Sequence, residues 1–89
     1  MPVVVNMWAP WCGPCRRVNP ALTGIATEMA GVVKLVMVSV PESPRLAGRL
    51  HVLSVPTLIV LRRAEVIARQ AGVVPEYQLR AWLTSALSA

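Results

Sequence analysis

The sequence predicts an α/β fold, with elements in the order β-α-β-α-β-β-α and a mixed four-stranded sheet. Three observations predict it. Short apolar runs rich in β-branched residues at positions 3–9, 33–40 and 57–61 alternate with stretches whose apolar residues recur at helical spacing. A helix between the first two strands implies a parallel, right-handed crossover. The third and fourth strands are separated only by Arg62-Arg63-Ala64-Glu65, which makes them an antiparallel hairpin.

The first strand, residues 3–9, is stopped by Pro10, and a helix follows Trp11-Cys12-Gly13-Pro14-Cys15. Val18, Leu22, Ile25, Ala26 and Met29 mark its apolar side, Gly31 is placed just past its end, and Pro20 should kink it because it lacks an amide proton. Residues 33–40 form the second strand, ended by Pro41-Glu42-Ser43-Pro44. A short helix comes next, with Ser43 as its cap, Pro44 in its first turn, and Leu46, Leu50 and Leu53 as its apolar side. After the hairpin, Gly72 closes the fourth strand. Pro75-Glu76 opens a last helix with Leu79, Trp82, Leu83, Ala86 and Leu87 on one face.

With 89 residues, residues 1–89 are expected to be a single domain that buries roughly 60–65% of its unfolded surface. The hydrophobic content of 55%, without a single Phe, leaves Val, Leu, Ile, Met and Trp to fill the core. Asn6, Lys34, Arg45 and Arg62-Arg63 interrupt every apolar run before it reaches the roughly 18 residues of a membrane span. No membrane association is expected. Met1-Pro2-Val3 has neither a basic leader nor a cleavage site, which favours the cytoplasm. The net charge of +5 raises the question of nucleic acid, but the arginines are scattered and no aromatic reading surface lies among them. A solvated surface is the expectation, with no nucleic-acid partner.

Two thiols three positions apart, where a strand turns into a helix, suit electron exchange. Cys12 falls at the helix N-terminus, where unpaired amides and aligned dipoles favour an anion over a neutral thiol. Cys15 lies one turn further in, within reach of Cys12. The rival use is a metal site. A structural zinc site takes four ligands, whereas the chain offers Cys12, Cys15 and His51 and contains no Asp, so no metal is expected. His51, between Leu50 and Val52, reads as a half-buried helix-end residue.

The element order, together with Trp8-Ala9-Pro10-Trp11-Cys12-Gly13-Pro14-Cys15, Pro20, Val55-Pro56-Thr57 and Gly72, resembles the thioredoxin family from about residue 3 to residue 87. The resemblance implies helices on both faces of the sheet and a cis Val55–Pro56 bond with Pro56 against the dithiol. It implies a protein-disulfide reductase with Cys12 as nucleophile and Cys15 as resolving thiol. Gly13 permits close substrate approach and Pro14 stiffens the first turn. Trp11, Val55, Gly72 and Val73 match the apolar rim around the exposed sulfur, although ordinary packing would also account for Trp11 and Val55. No bound cofactor is implied, since the redox group is the Cys12–Cys15 disulfide. The implied partners are disulfide-containing proteins and an electron donor of the thioredoxin-reductase type.

The chain departs from the family pattern in three ways. Asn6 occupies the position of a buried Asp beneath the resolving cysteine, and Met37 that of its buried Lys partner. Asn6 is therefore a candidate proton-relay position that cannot take a proton near neutral pH. The family's initial strand and helix are missing, so residues 33–40 should form an edge strand open to self-association. Ala64 stands in the hairpin where Gly is usual, which should strain the turn. The alternative functions are a truncated interaction module with little turnover, or a reductase or isomerase specialised for one partner.

Overall fold

The computed structural model describes residues 1–88. Among these the chain forms β1 (Val3–Trp8), α1 (Gly13–Glu28), β2 (Lys34–Ser39), α2 (Pro44–Arg49), β3 (Thr57–Arg62), β4 (Glu65–Ala71) and α3 (Glu76–Ser88). A single 3-10 turn, Val40–Glu42, joins β2 to α2. The order is the one the sequence predicts, with β2 ending one residue early because Val40 and Pro41 enter that turn. The sheet runs β2-β1-β3-β4, which makes β2 an edge strand as expected.

β1 is central because its near-continuous apolar run suits burial on both faces. It pairs in parallel with β2 and antiparallel with β3, so that Asn6 stands between Met37 and Leu58. Side chains alternate across the sheet. Val4, Leu58 and Val60 meet Val18, Leu22 and Ile25 of α1 and Leu79, Leu83 and Ala86 of α3 on one face. Val5, Met7 and Ile59 meet Ala47 of α2 on the other. Helices thus cover both faces, and fully burying each of these larger apolar side chains stabilises the fold by about 1.5–3 kcal/mol.

Pro20 lies inside α1 without ending it, and Gly31 adopts φ 86° beyond the helix, where the left-handed conformation suits glycine. The short helix differs from expectation. Its buried residue is Ala47, with Leu50 half-buried, whereas Leu46 is exposed and Leu53, beyond the helix, is 97% exposed. Six residues present one narrow stripe to the sheet, which Ala47 occupies, and Leu50 packs beside it from the C-cap. Ser43 holds the N-cap position but makes no side-chain cap hydrogen bond. His51 is exposed, not half-buried, because it turns into the left-handed region (φ 54°) just past α2. Arg63 and Ala64 both have positive φ, which places the expected strain of the hairpin at two non-glycine residues.

Several of the scattered arginines have structural partners. Arg62 donates to the Leu87 carbonyl near the end of α3 at 2.8 Å, and Arg69 donates to the Leu50 and His51 carbonyls at the end of α2. Cations there offset the orphan carbonyls of a helix terminus. Arg80 ties α3 to α1 through Glu28. No helix among the described residues is long and apolar enough to cross a membrane.

Candidate functional site

The Ala9 carbonyl accepts from the Cys12 N–H at 3.1 Å, so the chain leaves β1 through a tight turn at Pro10 and Trp11 and delivers Cys12 to the N-cap of α1. Cys12 has extended backbone (φ −84°, ψ 109°), and its Sγ accepts from the Cys15 N–H at 3.1 Å. Cys12 and Cys15 form a disulfide, with Cα atoms 5.3 Å apart. That N–H and the N-terminal end of the helix dipole are both aimed at the Cys12 sulfur. The first turn carries no acidic residue. The local field therefore favours a thiolate on Cys12.

Both cysteines are covered, Cys12 at 4% and Cys15 at 1% exposure. The exposed sulfur that the resemblance implies is thus a nearly closed one in this disulfide state. Ala9 completes their apolar cluster, and Trp8 and Val55 pack against it. The Val55–Pro56 peptide bond is cis, and Pro56 is buried. The Pro56 carbonyl accepts from Gly72 N–H at 2.9 Å, and Thr57 Oγ1 donates to the Ser54 carbonyl at 2.6 Å. The first bond holds the loop before β3 against the start of the last connection, the second closes that loop on itself, and Val55 within it packs against the dithiol cluster.

Trp11, 72% exposed, and Val55 share an open apolar depression of about 150 Å³ with Val40, Val52 and Leu53. Val73 is exposed as well, but it lines a different depression, between α1 and the start of α3, with Arg17, Ala21 and Pro75. Gly72, with φ 85°, stands beside Pro56 through its hydrogen bond. Gly13 is exposed, and nothing lies within 4 Å of where a Cβ would sit. The contribution of Leu53 escapes sequence reading because its periodicity assigns it to α2. Its exposure comes from the turn at His51, which points the chain away from the helix.

Beneath the sheet face covered by α1, Asn6 is fully buried. Its Nδ2 donates to Asn19 Oδ1 at 2.7 Å and to Met37 Sδ at 3.4 Å, while its own Oδ1 has no hydrogen-bond partner among the described residues. Met37 is 41% exposed, so it does not reproduce a buried partner, even though its sulfur reaches Asn6. Asn19 carries no candidate role in the sequence reading. The signal for it is that it interrupts the apolar stripe Cys15, Val18, Leu22 and Ile25 on α1, and a polar group facing a sheet needs a polar partner there.

The thioredoxin family model matches residues 1–85. The chain belongs to the thioredoxin family. It is 39% identical over 79 residues to the thioredoxin of Haemophilus influenzae, spanning 89% of this chain and 74% of that protein. Thioredoxins of Bacillus subtilis and Porphyra purpurea are 40% and 36% identical, over 88% and 99% of this chain and 75% and 82% of theirs. As a member of the thioredoxin family the protein is a thiol–disulfide oxidoreductase that reduces protein disulfides through Cys12 and Cys15. Its redox group is that cysteine pair, its substrates are disulfide-containing proteins, and a reductase returns it to the dithiol state. In each turnover the substrate S–S bond breaks, the Cys12–Cys15 bond forms, and two electrons and two protons pass to the substrate sulfurs.

Proposed function

We propose that Cys12 is the attacking thiolate and Cys15 the resolving thiol of a general protein-disulfide reductase. The hydrogen bond from Cys15 N–H to Cys12 Sγ carries this reading, because it stabilises negative charge on one sulfur only. Attack of Cys12 forms a mixed disulfide, and Cys15, nearly closed off from solvent, then displaces the substrate sulfur. Pro14 holds the first turn rigid, and Gly13 leaves the approach open.

The substrate lies in extended form beside Pro56, with its apolar side chains against Trp11 and Val55 on one side and Gly72 and Val73 on the other. Exposed apolar groups flanking a buried reactive pair support this placement. Trp11→Ala is expected to raise KM for a protein disulfide by roughly tenfold, the usual loss when an interface aromatic worth about 1.4 kcal/mol is truncated. Reduction of a small disulfide should be unaffected. An unchanged KM would remove Trp11 from the docking surface.

Asn6 can neither give nor take a proton near neutral pH, so Cys15 loses its proton to water or to Cys12 and resolution is slower for it. Residues 1–89 act as a single domain in the cytoplasm. The unpaired edge of β2, with Met37 exposed and Val32 exposed just before the strand, is where copies of the chain associate. Sedimentation across a range of concentrations is expected to show a growing average mass. An ideal monomer throughout would contradict association.

A further inference from the structure

We propose that Asn19 is a positioning residue for the dithiol: it holds the Asn6 amide so that Oδ1 is the hydrogen-bond acceptor for the Cys15 thiol of the reduced protein. The inference rests on the exchange of disulfides through Cys12 and Cys15. The hydrogen bonds of the Asn6 amide do not balance. Asn6 is wholly buried, and both acceptors near it face its nitrogen. One of them, Met37 Sδ, is a thioether and can only accept, so the amide cannot be turned over without losing that contact. Oδ1 is consequently the group left bare, and a bare buried acceptor costs about 1–3 kcal/mol.

Reduction supplies a donor. It adds two electrons to the Cys12–Cys15 bond and one proton to Cys15, leaving a thiolate on Cys12 and an S–H on a buried cysteine. Cys12 needs no further partner, since it already accepts from Cys15 N–H. Cys15 lies four residues before Asn19, on the same face of α1, and Asn19 is the residue that grips Asn6. The orphan acceptor of the oxidised state and the new donor of the reduced state are therefore held by one turn of one helix.

An acceptor facing S–H stabilises the neutral thiol and raises its pKa, whereas an amide N–H facing it would stabilise the thiolate. Asn19 and Met37, by claiming Nδ2, select the first arrangement. Among the described residues the surroundings offer no competing charge apart from the Cys12 thiolate. β1 carries no titratable group, Lys34 of β2 stands at the far end beside Val3, and Arg62 of β3 pairs in register with Glu65 at the hairpin. On α1 itself Arg16 and Arg17 are exposed, and Glu28 at its other end is bound to Arg80 of α3, which also pairs with Glu76.

The test is the titration of Cys15 in the Cys12→Ser protein, where one thiol titrates alone, followed by the 13C shift of its Cβ. Asn19→Ala improves helix propensity and Met37→Leu replaces a half-exposed side chain, so both should fold. Asn19→Ala is expected to lower the Cys15 pKa by about half a unit, and the double variant by more, because each freed N–H can then turn toward the thiolate. With Cys12 restored, resolution of the mixed disulfide at pH 7 should speed up about twofold, since half a unit gives about three times more thiolate and each thiolate is somewhat less nucleophilic, while attack by Cys12 stays unchanged. An unshifted or raised pKa in both variants overturns the proposal, as does equal acceleration of both steps. A parent protein that reduces no disulfide overturns the reading beneath it, and the proposal with it.

Discussion

Asn6→Asp is expected to destabilise the protein by about 3–4 kcal/mol at neutral pH, and by much less in acid. Asn6 has no exposed surface and, among the described residues, no cation beside it, so a carboxylate there would be desolvated without compensation. It would keep its proton to a higher pH in the folded than in the unfolded chain. Below the unfolded value of about 3.9 both states are protonated, and the loss is limited to rearranged hydrogen bonds. Above it the unfolded state binds fewer protons, so stability falls by about 1.4 kcal/mol per pH unit until the folded-state carboxyl ionises. Urea unfolding between pH 3.5 and pH 8 reads this directly. A constant difference from the parent across that range would show that the position is wetter than its burial implies.

The same variant probes the chemistry. A carboxyl that titrates near neutrality is a base, and it is placed where Asn6 now offers only an amide. Single-turnover reduction should gain a new inflection in its pH profile, with faster resolution above it. An unchanged rate and profile would exclude position 6 from proton handling.

Much of this was legible in the chain itself. The apolar run from Val3 marked β1 as a strand, the helical spacing of Val18, Leu22 and Ile25 gave the apolar side of α1, and Ala64 marked the strained hairpin. Periodicity failed at Leu46 and Leu53, because a helix as short as Pro44–Arg49 presents too few turns to define a face, and the left-handed turn at His51 redirects the chain beyond it. At the site, the Cys12–Cys15 pair was singled out by its spacing, and Val55 and Pro56 by the resemblance to the thioredoxin family. The Asn6–Asn19 pair was not, because its two members come from different elements and meet only after the strand and helix pack. The near-closure of Cys12 was also invisible, since it depends on the approach of Val55 from a distant part of the sequence.

Cys12→Ser is expected to lower protein-disulfide reduction by about a thousandfold or more, to the level of the uncatalysed exchange. A hydroxyl at the N-cap keeps the helix intact, because Ser accepts from the Cys15 N–H as well as sulfur does, so the loss is chemical. Cys15→Ser is expected to fail differently. Cys12 still attacks, but its bond to the substrate has no internal thiol to break it, so one substrate is captured and turnover stops.

Mass spectrometry of the reduced Cys15→Ser protein mixed with a disulfide-containing protein tests the dithiol mechanism most directly. A one-to-one adduct, joined at Cys12 and released by added thiol, is the predicted result. Undiminished turnover without an adduct, or an adduct that survives Cys12→Ser, would contradict it.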